Sequence, residues 1–380
     1  MKRIVIDART VTAKKSGIGN YAEALIRHLV PIATELRFTL IRQPGDTAPI
    51  VDDPRVTQLY LPGETKSAST FWIGRVHPFE DADLYHSPAD IVPWGVRCPW
   101  VSTIHDMMWL ETPHLCAAHR PTRLVLGAWY RAEYTHAIEG ARRIITISHA
   151  SAAAIGRVYP DEAHKVRVVH HGLDLARYDL SHAGPRESLD HLVRAGVRYA
   201  LIVGQGSPYK NHPGMLRAFI EASKSDPQLK LVLVRRFSRT DREMNDLLAM
   251  PGVAERVITV PFVKDAELLA LYRHAEALLM ASHAEGFGMP ALEAMSMEVP
   301  LLVSTHPALA EVTGGAAISA RSDDHADLVR GMREVLFDRD RREASVAAGK
   351  RRAQDFSWQE CAEKTLAVYR EALSGAGSTC

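Results

Sequence analysis

Short runs of β-branched and other apolar residues alternate with helical patterns along almost the whole chain, and this alternation constrains the fold most strongly. Six runs in the first half predict strands at Arg3–Ile6, Phe38–Ile41, Leu84–His86, Val101–Ile104, Ile144–Ile147 and Val166–Val169. Five runs in the second half predict strands at Tyr199–Val203, Leu231–Val234, Val257–Val260, Ala277–Met280 and Leu301–Val303. Helical patterns lie between them, for example at Tyr21–Val30, Arg123–Glu139, Asn211–Ala222, Asp265–His274 and Pro290–Met297. Buried strands that alternate with helices form parallel sheets covered on both faces, so the sequence predicts an α/β protein.

The alternation is interrupted by a polar stretch at 181–198 and then restarts. A chain of 380 residues is too long for one ordinary core. We therefore expect two doubly wound domains, over 1–180 and 181–355, which face each other across a cleft. Ligands of such sheets bind outside the carboxyl ends of the strands, so the informative residues should lie just after strands.

Composition excludes several classes of function. The net charge is +1, from 46 basic and 45 acidic residues, which gives no general attraction to nucleic acid. The four cysteines form no C-x-x-C pair, and no Cys/His run has zinc spacing, so we expect no structural metal and a reducing compartment. The N-terminus lacks the apolar stretch of a signal peptide, and no long apolar run is present. We therefore expect a cytoplasmic protein.

The first half places two candidate ligand loops after predicted strands. Gly17 and Gly19 follow the first strand and open a helix, where glycines admit a ligand closely and helix amides favour anions. A flexible turn with a glycine hinge is an equal reading. His105 and Asp106 end a later strand, where His105 could bond a ligand hydroxyl and Asp106 could orient it or cap the next segment. The alternative for His105 is a packed histidine bonded to the backbone.

A third loop, Gly204 to Asn211, follows the strand at Tyr199–Val203. Lys210 is predicted to lie where a helix begins, and an ammonium beside helix N-terminal amides is a good receptor for a diphosphate. The spacing lacks the Gly-Lys-Ser/Thr ending of a Walker motif. The competing reading is a solvated lysine.

The most informative segment runs from Glu285 to Glu293, directly after a predicted strand. Pro290 suits the first turn of a helix, which places Glu285 in the loop and Glu293 about one turn into the helix. Gly286 and Gly288 allow backbone N–H groups to face a ligand. Carboxylates and amides in this arrangement suit a polyhydroxyl ligand, whereas a helix cap with a solvated glutamate would not need both glycines and both carboxylates.

With these motifs in place, the chain resembles a known family, the GT4 retaining glycosyltransferases, which have the GT-B fold. Glu285 and Glu293 match the E-x7-E motif of that family. Other matching segments follow in the family's order: G-I-G-N-Y at 17–21, Y-H-S-P at 85–88, T-I-H-D at 103–106, I-T-I-S at 145–148, H-G-L-D at 171–174, K-N at 210–211 and F-S-W at 356–358. The resemblance is nearest to the branch that builds bacterial surface polysaccharides, often mannosyl- or rhamnosyltransferases. It implies two Rossmann-like domains and a nucleotide-sugar donor.

The resemblance also implies roles for the donor-binding residues. Glu285 would contact the hydroxyls of the donor sugar, Glu293 the ribose hydroxyls and Lys210 the diphosphate. Gln205 and Asn211 belong to the same donor-binding loop. Three further residues of the donor site would act through their backbone: Gly286, Phe287 and Gly288.

The other half of the implied site lies in the N-terminal domain. Gly17 and Gly19 would approach the phosphates or the transferred sugar, and His105 would contact the sugar near the reaction centre. We therefore expect His105, Glu285 and Lys210 to be the catalytic residues. The acceptor, a glycan or a lipid-linked glycan, would bind the N-terminal domain. The segment 356–380, with a helix at about Trp358–Leu373, would cross back to that domain.

One position departs from the family pattern. Many members carry an arginine before or inside the phosphate loop as a second diphosphate cation, and this chain has Gln205 and Tyr209 at the candidate positions. Losing that charge weakens stabilisation of the leaving group unless another cation replaces it. Arg235 and Arg236, after the strand at Leu231–Val234, are the candidate substitutes.

The implied reaction is metal-independent sugar transfer with retention. No D-x-D pattern is placed to hold a metal at the leaving diphosphate, and Lys210 with a helix N-terminus can stabilise its charge instead. We expect no cofactor and a nucleotide-sugar co-substrate, with a GDP-sugar favoured over a UDP-sugar and mannose or a related hexose transferred. The alternatives are an epimerase of GT-B shape and a non-catalytic nucleotide-sugar-binding module. A phosphorylase would need a pyridoxal-phosphate lysine and a longer chain.

One stretch, His114–Arg143, is compatible with peripheral contact between the protein and the inner membrane surface. It holds five arginines, and Trp129 and Tyr130 lie among them. A basic, aromatic helix of this kind can lie on anionic lipid. A solvated helix face is the equally simple reading.

Overall fold

The computed structural model describes residues 1–12, 16–45, 48–117, 119–174, 196–235, 241–261, 263 and 265–374. These residues divide into two compact units. The first unit holds 1–113, 119–172 and the chain from Phe356 onward, and the second holds 114–118 and 173–355. The predicted domain boundary at 180/181 and most of the polar stretch at 181–198 lie outside the described residues.

The first unit is built on a seven-stranded sheet in which every pairing is parallel. Its strands are β1 Lys2–Asp7, β2 Leu36–Arg42, β3 Val56–Tyr60, β4 Leu84–Ser87, β5 Trp100–Ile104, β6 Arg143–Thr146 and β7 Val166–Val168. Their order across the sheet is β3-β2-β1-β4-β5-β6-β7. The strand β3 was not predicted because the polar Thr57 and Gln58 interrupt its apolar residues, and none of its residues is fully buried.

The second unit has a six-stranded parallel sheet. Its strands are β8 Tyr199–Val203, β9 Lys230–Val234, β10 Val257–Val260, β11 Ala277–Met280, β12 Leu301–Ser304 and β13 Ile318–Ala320. Their order is β10-β9-β8-β11-β12-β13. The predicted α/β class with parallel sheets is confirmed in both units. The unpredicted strand β13 is a three-residue edge strand, too short to give an apolar run.

Helices cover the faces of both sheets. Those of the first unit are α1 Gly17–Ile32, α2 Thr70–Val76, α3 Met108–Glu111, α5 Arg120–Glu139, α6 His149–Val158 and α14 Trp358–Ser374, whereas α4 Pro113–Cys116 begins in the first unit and continues in the second. Those of the second are α7 His212–Ala222, α8 Arg242–Leu248, α9 Asp265–His274, α10 Met289–Ser296, α11 Pro307–Thr313, α12 His325–Phe337 and α13 Arg339–Ala353. In the described part of the chain, no helix combines the length and the apolar content needed to cross a membrane.

Side-chain caps fix where several helices begin. The Ser16 hydroxyl accepts from the Gly19 amide, so α1 begins at Gly17 rather than at the predicted Tyr21. Asp324 and Asp338 cap α12 and α13 in the same way.

Each unit has its own hydrophobic core. In the first, α14 packs on α1, and both cover one face of the sheet through residues such as Leu25, Leu366 and Tyr369. The last helix therefore belongs to the N-terminal unit, although it follows the whole second unit in sequence. In the second, α7 and α12 pack together over β8, β11 and β12.

Candidate functional site

Each sheet contains a topological switch point, where the connections that follow two adjacent strands run toward opposite edges of the sheet. In the first unit this point lies between β1 and β4, and in the second between β8 and β11. Loops that follow such a pair of strands diverge and leave a crevice, which is where open α/β sheets bind ligands. The predicted site residues follow β1 and β5 in one unit, and β8 and β11 in the other.

Lys210 and Glu285 meet in the second unit. The Lys210 Nζ lies 2.8 Å from the Glu285 Oε1, and their side chains are 13% and 7% exposed. They are brought together because β8 and β11 are adjacent and their loops leave the same edge of the sheet. Lys210 is therefore not a solvated lysine, and Glu285 is not a solvated glutamate.

The loop that carries Lys210 is held by backbone and amide hydrogen bonds. The Asn211 side-chain amide donates to the carbonyls of Ala281 (3.2 Å) and Ser322 (2.9 Å), and the His283 amide donates to the Tyr209 carbonyl at 2.7 Å. Asn211 is buried and left-handed, with φ of 53°. Its amide nitrogen therefore holds the loop in place, and its contact with the nucleotide sugar stays a prediction.

The environment of Lys210 also differs in detail from the prediction. Lys210 ends a 3-10 turn at Pro208–Lys210, and α7 starts at His212, so Lys210 precedes the helix rather than beginning it. Gln205 donates through its side-chain amide to the Tyr209 hydroxyl. The two candidate positions for the missing arginine are thus bonded to each other through neutral side chains.

The loop after β11 is tightly packed around Phe287. Phe287 is 3% exposed and packs in the core, which fixes the chain between Gly286 and Gly288. Gly288 has φ of 110°, and a Cβ there would lie 2.5 Å from the Leu309 Cδ2. Only glycine fits this position, directly before α10 begins with Pro290 in its first turn.

Glu293 lies in α10, about one turn from its start as predicted, and is partly buried. The Tyr272 hydroxyl donates to its Oε2 at 2.8 Å, which fixes the carboxylate. Glu285 and Glu293 therefore have different partners, one a cation and the other a phenol.

A cationic residue that the sequence left unplaced lies against the same loop. Arg235 follows β9 and is 4% exposed, and a Cβ on Gly206 would overlap its guanidinium. Its Nη1 lies 3.2 Å from the His212 Nδ1, and its Nη2 pairs with Asp241. Burial, with the charges of Arg235 and Lys210, lowers the pKa of His212 to about 3, so that ring is neutral. The other candidate substitute, Arg236, lies outside the described residues.

In the first unit, His105 is buried at the carboxyl end of β5. Its Nε2 lies 2.9 Å from the Pro88 carbonyl, to which it donates, and its ring makes an edge contact with Tyr21 of α1 at 5.0 Å between centroids. The Asp106 Oδ1 accepts from the Met108 amide at 3.0 Å, so Asp106 caps the following turn rather than orienting His105. Burial, together with the nearby Asp90 charge, raises the pKa of Asp106 to about 6.

Asp90 and Lys66 were missed from sequence. The Asp90 Oδ1 accepts from the His105 amide at 2.7 Å, and its Oδ2 lies 2.7 Å from the Lys66 Nζ. Burial alone would raise the pKa of Asp90, but the Lys66 charge and the His105 amide outweigh it and hold that pKa below its usual range. Asp90 is therefore ionised, and its carboxylate holds the backbone at the end of β5. Neither residue stood in a periodic pattern that could have identified it.

Gly17 and Gly19 both lie in the first turn of α1, but their surroundings differ. A Cβ on Gly19 would overlap the Thr10 carbonyl and lie 3.0 Å from the Ser16 Oγ, whereas a Cβ on Gly17 would meet nothing within 4 Å. Gly19 is thus required by packing at the end of β1. Packing places no such constraint on Gly17, and its contact with a ligand stays a prediction.

This contrast predicts opposite outcomes for two matched substitutions. Gly19→Ala should destabilise the protein by about 1–3 kcal/mol, because the new methyl group must displace the Thr10 carbonyl. Gly17→Ala should leave the melting temperature unchanged or slightly higher, since alanine favours the helix. Thermal unfolding of the two variants measures the difference, and equal melting temperatures would contradict the packing described for Gly19.

Two family descriptions match the chain. Residues 187–352 match the family described as glycosyl transferases group 1. Residues 15–177 match the family described as glycosyltransferase family 4. Together the two matches cover the loops of both sheets described above.

Individual relatives and one solved structure agree with these matches. The chain is 29% identical over 292 residues to O-antigen chain mannosyltransferase B of Escherichia coli, covering 76% of this chain and 74% of that protein. It is 30% identical over 305 residues to a D-inositol 3-phosphate glycosyltransferase of Actinosynnema mirum, covering 73% and 68%. The structure of sucrose-phosphate synthase from Thermosynechococcus elongatus superposes with a TM-score of 0.74 at 19% identity, over 99% of this chain and all of that one.

Proposed function

Because the chain belongs to the GT4 glycosyltransferases of the GT-B fold, we propose that it transfers a hexose from a nucleotide-sugar donor to a glycan or lipid-linked acceptor. The observation that carries this proposal is the Lys210–Glu285 pair at the switch point of the second sheet. A cation for the diphosphate and a carboxylate for the sugar hydroxyls are the two groups that a nucleotide sugar needs side by side.

The proposed chemistry uses charge rather than a metal. The bond between the anomeric carbon and the phosphate oxygen breaks, and negative charge develops on the nucleoside diphosphate. A preorganised ammonium at Lys210 stabilises that charge without reorganising during the reaction. The acceptor oxygen bonds the anomeric carbon on the same face, and its proton passes to the leaving phosphate, so retention needs no side-chain base.

Glu285 and Glu293 do not act as the acid/base pair of a glycoside hydrolase. Such a pair flanks one glycosidic bond, with one carboxyl protonated. Here Glu285 is paired with an ammonium and Glu293 accepts from Tyr272. These partners suit a contact with sugar hydroxyls at one end of the donor and with ribose hydroxyls at the other.

The nucleotide and the sugar are proposed from the relatives. The similarity to O-antigen chain mannosyltransferase B favours a mannosyl donor and a role in surface polysaccharide synthesis. We therefore propose that the donor is a GDP-sugar rather than a UDP-sugar. The alternatives are an epimerase of GT-B shape and a non-catalytic nucleotide-sugar-binding module, neither of which would form a new glycoside.

A thermal-shift panel with GDP, UDP, ADP and dTDP tests the proposed donor class. A nucleotide that binds the native state at one hundred times its Kd stabilises it by about 2.7 kcal/mol. We expect the largest rise in melting temperature with GDP. A larger rise with UDP would overturn the GDP assignment, and no rise with any of the four would overturn the donor site itself.

We also propose that the helix α5 contacts an anionic membrane surface, where a lipid-linked acceptor would lie. Leu124 and Val125 are 75% and 69% exposed, and Arg120 and Arg131 are exposed on the same helix. Tyr130 stacks on Trp109 at 4.7 Å, and Trp129 and Tyr130 are both only partly exposed. The exposed apolar surface is therefore aliphatic.

Vesicle co-sedimentation tests this contact. The protein should bind phosphatidylcholine vesicles that contain phosphatidylglycerol, lose binding at high salt and ignore pure phosphatidylcholine. The variant Leu124→Gln should weaken binding, whereas Met250→Gln, at a residue 49% exposed in the second unit, should not. Equal binding to neutral and anionic vesicles would contradict the proposal.

A further inference from the structure

The phosphate loop of this chain lacks the arginine that many GT4 enzymes carry, yet a buried guanidinium lies directly beneath it. Arg235 leaves the end of β9, the strand beside β8, and its side chain is 2% exposed. Gly206 has no side chain, so its backbone packs on the guanidinium, and any Cβ there would overlap the Nη2 and lie 2.6 Å from the Cζ.

Two groups that contact Arg235 differ in charge and in exposure. His212 is neutral, so its contact with the guanidinium adds no charge. Asp241 is the acidic partner, and its side chain is 21% exposed, against 2% for Arg235. The Nη2 nearest Gly206 is also the atom that pairs with Asp241, so the loop faces an ion pair. Solvent screens the exposed carboxylate of this pair more than the buried guanidinium, so the pair does not cancel fully at the loop.

Arginine is suited to this buried position. A guanidinium stays protonated when it is buried, whereas a lysine there would tend to lose its proton. Gln205 and Tyr209, the two candidate positions for the missing arginine, are bonded to each other and carry no charge. The charge missing from the loop sequence is thus present in the structure, one strand away.

We propose that Arg235 supplies the second positive charge of the diphosphate site, acting through the backbone at Gly206 and together with Lys210. It is a positioning and electrostatic residue rather than a direct phosphate ligand. The inference rests on the proposed donor site, since it needs a diphosphate to be bound at the loop after β8.

The test compares the binding of nucleoside diphosphates and monophosphates by calorimetry. GDP with GMP, and UDP with UMP, are titrated into the wild type, Arg235→Gln, Asp241→Asn and the double variant Arg235→Gln/Gln205→Arg. The measured quantity is the ratio of the two Kd values, because a loop that is merely disordered weakens both ligands alike. Asparagine is as good an N-cap as aspartate, so Asp241→Asn keeps the start of α8 while removing the opposing charge.

We expect Arg235→Gln to reduce the diphosphate preference about tenfold. Asp241→Asn should increase that preference several-fold, and Gln205→Arg should restore it in the Arg235→Gln background by returning an arginine to the family's position. An unchanged ratio in Arg235→Gln overturns the inference while leaving the donor site standing. If Arg235→Gln does not fold, Asp241→Asn decides, since weaker diphosphate binding in that variant would mark a purely structural ion pair. A wild type that binds no nucleoside diphosphate would overturn the proposed function itself.

Discussion

Replacing Glu285 by glutamine is expected to lower turnover about 100-fold or more while tightening the binding of a free nucleoside diphosphate. Turnover falls because the carboxylate that would hold the donor-sugar hydroxyls is lost where charge develops. Diphosphate binding tightens because Glu285 is itself an anion bonded to Lys210, at 2.8 Å, and competes with phosphate for that ammonium. Steady-state kinetics and calorimetry with the free diphosphate measure the two effects.

The opposite signs distinguish this account from a loss of folding. A damaged loop would reduce turnover, weaken diphosphate binding and lower the melting temperature together. A glutamine side chain is nearly isosteric with the native glutamate, so it should not disturb the loop. Glu298 provides a matched control, since it forms a 2.8 Å pair with Lys350 on the exposed surface of the same unit. Glu298→Gln should change neither quantity. Weaker diphosphate binding in Glu285→Gln would show that Glu285 does not compete for Lys210.

Replacing Lys210 by alanine is expected to weaken nucleoside diphosphate binding roughly 10- to 100-fold and to reduce turnover further. A charge-assisted contact with phosphate contributes about 1.5–3 kcal/mol, and the same charge stabilises the leaving group. The variant should also be about 1–3 kcal/mol less stable, because the Glu285 side chain, 7% exposed, loses its cation. Calorimetry, kinetics and thermal unfolding measure these three changes.

The exposed Lys350→Ala variant is the control for Lys210→Ala. Surface ion pairs contribute little, so it should leave stability, binding and turnover close to the wild type. If Lys210→Ala keeps the wild-type affinity for the diphosphate and the wild-type turnover, the phosphate assignment is wrong.

The sequence predicted the central strands of both sheets because their residues are buried on both faces. Strands such as β8 and β11 read as continuous apolar runs, and the loops after them were located within a residue or two. The edge strands β7 and β10 were also predicted, because each holds at least two β-branched apolar residues, whereas β3 and β13 hold one each and give no such run. The strands that could be predicted are thus those in which several large apolar residues lie close together.

The sequence located most of the loops of the candidate site, but it did not predict which side chains contact each other. Lys210 and Glu285 are separated by 75 positions and meet only because β8 lies beside β11. The Asn211 amide nitrogen bonds to the carbonyls of Ala281 and Ser322, which no local pattern reveals. Arg235 could be named as a substitute cation, yet its position beneath Gly206 depends on the order of the strands.

The N-terminal unit shows the same limit. His105 was predicted at the end of β5, but the support it receives from Asp90 and Lys66 comes from two irregular loops. Contacts between loops have no periodicity, so they become visible once the sheet has set which loops are neighbours.

Nuclear magnetic resonance of the donor during incubation tests the central claim most directly. The protein is mixed with GDP-mannose, and separately with UDP-glucose, together with an alkyl mannoside as an acceptor mimic, and the anomeric protons are followed. The account predicts release of nucleoside diphosphate in step with a new glycoside of the donor's own anomeric configuration, and loss of both in Glu285→Gln. An isomerised donor that keeps its diphosphate, or a donor that is bound and left unchanged, would contradict it.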